Sequence, residues 1–143
     1  MPINARTKGK VAENEFAKKL NSIGLFNARR GCQYRGGPDT PDILCDGSVY
    51  WEVKRREKLD LSGSVSQAVR DSGHPNSGRT PAVASRKNNE GWLITIRFED
   101  MIDFAQAILE IHEKGKNETS TPHVDSVIDT SHNDLANFPR VLL

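Results

Sequence analysis

From Val49 to Lys54 apolar and polar side chains alternate without a break. Val49, Trp51 and Val53 fall on one side, and Tyr50, Glu52 and Lys54 on the other. Alternation of period two marks a β-strand. Ile43-Leu44-Cys45 offers a partner arm and Asp46-Gly47-Ser48 a turn, so 43–54 reads as a β-hairpin. No other stretch constrains the fold as tightly, because the strand must carry Glu52 and Lys54 on one face. The place of Asp42 depends on register. A three-residue turn at 46–48 pairs 45 with 49, 44 with 50 and 42 with 52, which sets Asp42 opposite Glu52. A two-residue Asp46-Gly47 turn pairs Asp42 with Trp51 and separates the acids. A working acid pair requires the longer turn, with Gly47 at a positive-φ bulge position.

The flanking sequence predicts the other elements. Residues 8–23 read as a helix with Ala12, Phe16, Leu20 and Ile23 inward, Lys18, Lys19 and Ser22 outward, and Gly24 as its C-cap. Glu13 points with the apolar face, whereas Glu15 belongs with the lysines. A carboxylate aimed at a core is costly unless paired or metal-bound; the other reading places Glu13 at the rim, favouring the helix N-terminus. Leu25–Arg30 reads as a short strand and 31–38 as a Gly-rich basic loop. A second helix, capped by Ser62 or Ser64, runs to about Ser72 with Val65, Ala68 and Val69 inward and Gln67 beside them. Strands follow at Thr80–Ser85 and Trp92–Ile96. A third helix starts near Phe98, carries a stripe of Met101, Ile102, Ala105, Ile108 and Leu109, and ends by Lys114-Gly115.

The order α-β-β-β-α-β-β-α predicts an α/β domain, a mixed central sheet flanked by helices, over residues 1–115. Residues 116–143 read as a polar linker and tail. Val124–Ile128 is a candidate edge strand. Leu135, Phe138, Val141, Leu142 and Leu143 are candidates to dock on the domain or on a second copy.

Charge is nearly balanced, 20 basic against 19 acidic residues, but unevenly spread. Twelve Lys and Arg lie within residues 1–58, and Arg140 is the one cation from 117 onward. The folded part is therefore more basic than the total. No apolar run reaches bilayer length and the N-terminus has no apolar signal core, so a cytoplasmic chain is expected. Cys32 and Cys45 fit no metal spacing and read as structural thiols in a reducing compartment. His74, His112, His123 and His132 form no zinc set and read as solvent-exposed.

Two carboxylates opposed on neighbouring strands repel unless one is protonated or a cation joins them. Mg²⁺ suits such a pair, taking one or two carboxylates and completing its shell with water; Mn²⁺ is expected to substitute. The Val53 carbonyl is a further candidate oxygen. Lys54 would orient a water or stabilise charge on phosphorus, so phosphodiester hydrolysis is the expected chemistry. Glu13 would reach the metal shell directly or through water, and Gln67 would position water or phosphate. An ordinary Glu-x-Lys surface ion pair is the plain alternative.

Pro41-Asp42, Glu52-Val53-Lys54 and the upstream helix with Gly9 and then Glu13 resemble the PD-(D/E)xK nuclease superfamily. The likeness is to Holliday-junction resolvases of archaeal and phage type, with Gln67-Ala68 and Pro81-Ala82-Val83 in matching places. It covers about residues 8–105. The resemblance implies a restriction-endonuclease-like fold, and Glu13, Asp42, Glu52 and Lys54 as metal-binding and catalytic residues with Gln67 accessory. It also implies a homodimer acting on four-way DNA junctions. Arg29, Arg30, Arg35, Arg55, Arg56, Arg79, Arg86 and Lys87 are the expected phosphate contacts. Two alternatives stand: a restriction-like, repair or replication nuclease on other DNA, and a catalytically idle DNA-binding subunit of the same fold. Small size and this likeness would suit a phage or mobile element.

Overall fold

A computed structural model describes residues 4–24, 27–31 and 40–119. In chain order it contains α1 (Ala5–Ser22), β1 (Arg29–Arg30), β2 (Ile43–Leu44), β3 (Val49–Arg55), α2 (Leu61–Ser72), β4 (Thr80–Arg86), β5 (Leu93–Thr95), a 3₁₀ turn (Phe98–Asp100) and α3 (Met101–Thr119). The five strands form one open mixed sheet in the order β1-β2-β3-β4-β5. Only β3 and β4 are parallel, and α2 makes the crossover between them. The molecule is thus α/β, with the element order expected from the sequence.

The sheet is covered on both faces. On one, Phe16, Ala17 and Leu20 of α1 and Ala107 and Ile111 of α3 close over Val49, Trp51, Ala82 and Ala84. Phe16 meets the Trp51 ring edge-on at 5.2 Å. The opposite strand face, carrying Tyr50, Glu52 and Val83, lies under α2, whose Ser64, Ala68 and Ser72 are buried. The alternation of β3 therefore sorts its residues between two buried faces, so Glu52 is enclosed instead of solvated.

Several boundaries and faces differ from the sequence expectation. α1 begins at Ala5 because the Asn4 side chain accepts the Arg6 N–H, and Ile23 lies past its end, two-thirds exposed. Glu15 does not stand out with the lysines but sits between Arg55 (3.5 Å) and Arg86 (3.3 Å). Asp60 caps α2, accepting the Gly63 N–H at 2.9 Å, and neither Ser62 nor Ser64 does so. α3 continues through Gly115 to Thr119. Its buried arc runs through Phe104, Ala107, Ile108 and Ile111, spaced i, i+3, i+4, i+7; Met101, Ile102, Ala105 and Leu109 are exposed. More than one arc of α3 is apolar, and only docking on the sheet selects between them.

His74 is another correction. It is enclosed, with Nδ1 3.0 Å from the Arg79 carbonyl and Nε2 3.1 Å from buried Asp100, which also takes a two-pronged contact from Arg97. Cys45 is half-buried, and burial together with Asp46 pushes its thiol up to about 11, the condition of an unreactive structural cysteine. Cys32, His123, His132 and the tail positions 124–128 and 135–143 lie outside the described residues. No helix among the described residues is long and apolar enough to cross a membrane.

Candidate active site

The hairpin takes the longer register. Ile43 stands opposite Trp51, which brings Asp42 opposite Glu52. The turn needs Gly47: its φ is +124°, and an added Cβ would lie 2.4 Å from Ile111 of α3. β2 stops at its start in an irregular way. The Asp42 N–H donates to the Trp51 carbonyl (3.0 Å), and the Asp42 carboxylate accepts the Val53 N–H (2.8 Å). The side chain thereby pairs a strand N–H that the short β2 leaves behind. On its other side Asp42 is held by the residue just past β1, since the Gly31 N–H donates to the Asp42 carbonyl at 2.8 Å. Gly31 lies so close that a Cβ there would come within 2.3 Å of the Pro41 carbonyl oxygen.

The five residues expected to act in catalysis come together here. Asp42 and Glu52 are buried, 9 % and 6 % exposed, and open on a cleft of about 550 Å³ also lined by Gly9, Glu13, Lys54 and Arg56. Lys54 Nζ lies 2.5 Å from Glu52 and donates to Gln67 Oε1 at 3.3 Å. Gln67 thus reaches Lys54 from α2, as its inward position suggested. Glu13 reaches the same cleft from α1 but is taken by Arg30 in a close ion pair.

Burial pushes the Asp42 and Glu52 carboxyls above the ordinary carboxylate range. The Val53 N–H and the Lys54 charge oppose this at Asp42, and Glu13 adds to it. At Glu52 the Asp42 charge is the next contributor. Two enclosed carboxylates side by side, with the Lys54 ammonium on Glu52, are a donor set that could hold a hard divalent cation. Among the described residues no three Asp, Glu, His or Cys side chains converge as a metal-ligand group. Asp42 and Glu52 fit a cation that keeps most of its waters, and Glu13 as placed is not part of that set. Val53 lines the same cleft, and its N–H is engaged by Asp42.

The expected phosphate contacts divide. Arg56 and Lys87 are exposed, as is Arg29. Arg55 bonds Glu15 and Asn88, and Arg86 bonds Glu15 and lies over the Trp92 ring at 5.5 Å. Arg79 turns into the fold, donating to the Ser72 carbonyl and covering the Tyr50 ring. Arg35 lies outside the described residues.

Sequence reasoning missed two groups. Lys8 and Lys58 join Arg55 and Arg56 along the cleft, because the end of β3 and the start of α1 meet there. Asp71, four residues after Gln67 on α2, comes near enough to raise the Glu52 and Tyr50 protonation ranges. Its i+4 spacing from Gln67 is the signal that would have placed it. No protein-family model, curated protein or solved structure matches this chain.

Proposed function

We propose that the chain is a divalent-metal-dependent DNA endonuclease with a restriction-endonuclease-like fold, hydrolysing phosphodiester bonds in branched, four-way DNA as a homodimer. The observation that carries this is the register of the hairpin. It opposes Asp42 and Glu52 in one basic-rimmed cleft, with Lys54 held between Glu52 and Gln67. An ordinary surface Glu-x-Lys pair is neither buried nor joined by a second acid.

Asp42 and Glu52 would hold Mg²⁺ or Mn²⁺, which when bound supplies charge neutralisation and an activated water. The protein does the rest. The Val53 N–H fixes the rotamer of Asp42, and Gln67 aims the Lys54 ammonium, which stabilises negative charge developing on the phosphate oxygens. Lys8, Arg56 and Lys58 bind backbone phosphates at the cleft without reading sequence. The homodimer reading is supported by the exposed apolar side chains of α3 and by Leu93 and Ile94 on edge strand β5.

The test incubates the purified protein with a four-way junction and a matched linear duplex, in Mg²⁺ or in EDTA. Paired Mg²⁺-dependent nicks on the junction alone are expected. Cutting of both substrates points to a repair or restriction-like nuclease. Binding without cutting in either Mg²⁺ or Mn²⁺ overturns the catalytic assignment and leaves a DNA-binding subunit. Lys54→Ala should lower cleavage by at least about 10²-fold while leaving junction affinity within about threefold.

A further inference from the structure

Arg30 spends one nitrogen on Glu13. Its Nε makes the ion pair, and the guanidinium makes no other hydrogen bond or ion pair among the described residues. Arg30 is also the more open of the two, 28 % exposed against 12 % for Glu13. The backbone beneath is locked, because the next residue, Gly31, is bonded to Asp42 and packed on Pro41. Any exchange of partner must therefore come from the side chain. Both charges are close enough to act on Asp42, Glu13 raising and Arg30 lowering its protonation range. Beside Glu13, one turn back on α1, Gly9 leaves open space, with nothing within 4 Å of an added Cβ.

We propose that Arg30 is a phosphate-responsive keeper of Glu13. In the free protein its guanidinium holds the Glu13 carboxylate out of the Asp42–Glu52 pair. A DNA phosphate arriving beside the cleft, behind Glu13, takes the guanidinium, and Glu13 is released to become a third oxygen donor for the cation. This rests on the nuclease reading. A half-buried charge-assisted contact is replaced by another of the same kind, two-pronged to phosphate, so the exchange leaves no charge unpaired. Metal and DNA then reinforce each other, and linkage makes the effect mutual. Glu13 and Arg30 act as positioning residues for the site.

The experiment titrates Mn²⁺ calorimetrically into DNA-free protein, with Asp42→Asn as the control for the site. Glu13→Gln should bind Mn²⁺ as the wild type does, because Glu13 is withheld. Arg30→Gln should bind roughly tenfold tighter. The double variant Glu13→Gln/Arg30→Gln should return to the wild-type value. A gain that persists in the double variant comes from the lost positive charge alone and overturns the proposal. So does a Glu13→Gln loss as large as that of Asp42→Asn, or no gain in Arg30→Gln.

A second arm works in a Lys54→Ala background, so that the DNA stays intact. There Mn²⁺ should raise affinity for a labelled four-way junction, and Glu13→Gln should remove most of that gain. Should Arg30→Gln fail to fold by circular dichroism, this arm decides, and an undiminished gain overturns the proposal. Mn²⁺ binding that ignores Asp42→Asn overturns the nuclease reading and this inference together. Binding lost in Asp42→Asn but unmoved in Arg30→Gln overturns this inference alone.

Discussion

Asp42 and Glu52 are carboxylates that water has largely left, and each carries a stability consequence. Both titrate above the ordinary range, so the fold holds protons that the unfolded chain has already released. Metal-free stability therefore falls as pH rises from the ordinary carboxylate range through the raised values. Asp42→Asn removes a buried charge yet keeps an oxygen to accept the Val53 N–H. It should stabilise the metal-free protein at neutral pH and abolish the rise in melting temperature expected of the wild type in Mg²⁺. Thermal melts in EDTA and in Mg²⁺ check both. Asp100 behaves in the opposite sense. Arg97, and then His74, hold its carboxyl below the usual range. Its contribution is complete above the unfolded carboxylate pKa of about 4 and is lost as pH falls through the lowered value. Asp100→Asn should cost about 2 kcal/mol at neutral pH and much less in acid, read from denaturant midpoints.

At the scale of elements, the site depends on two close approaches that only glycine permits. Gly47 lets the turn lie on α3 and sets the register that opposes the acids. Gly31 lets β1 press against Pro41 and hold Asp42. Gly47→Ala should destabilise by at least about 2 kcal/mol, combining a strained φ with a clash in packed core. Gly9 differs, since it sits mid-helix in open space at the cleft. Gly9→Ala should stabilise α1 by roughly 0.5–1 kcal/mol, measured by urea unfolding, and its effect on junction cleavage reports whether substrate occupies that space. The caps and the arc of α3 were harder to read. Asp60, Ser62 and Ser64 are all good caps, and α3 is apolar around much of its circumference.

For the whole molecule, assembly turns on the apolar residues exposed along α3 and on the 3₁₀ turn before it. Phe98 is 86 % exposed, and Ile102 and Leu109 are close to two-thirds exposed. If this face joins two copies, Ile102→Glu with Leu109→Glu should convert a dimer to a monomer in sedimentation velocity, with melting temperature of the monomer little changed. A wild type that sediments as a monomer rejects the assignment.

The sequence alone determined what depends on short spacing. Alternation put Glu52 and Lys54 on one face of β3, helical period put Glu13 inward on α1, and element order implied a mixed sheet with helices on both sides. These follow from backbone geometry, which residues a few positions apart already share. Tertiary structure decided what depends on docking. It chose the hairpin register by packing Gly47 on Ile111, and it gave Glu13 to Arg30 and Glu15 to Arg55 and Arg86. It also enclosed His74 with Asp100 and selected one apolar arc of α3 over another. In each case the partners lie far apart in the chain, and which charge meets which is settled only when the elements close around the sheet.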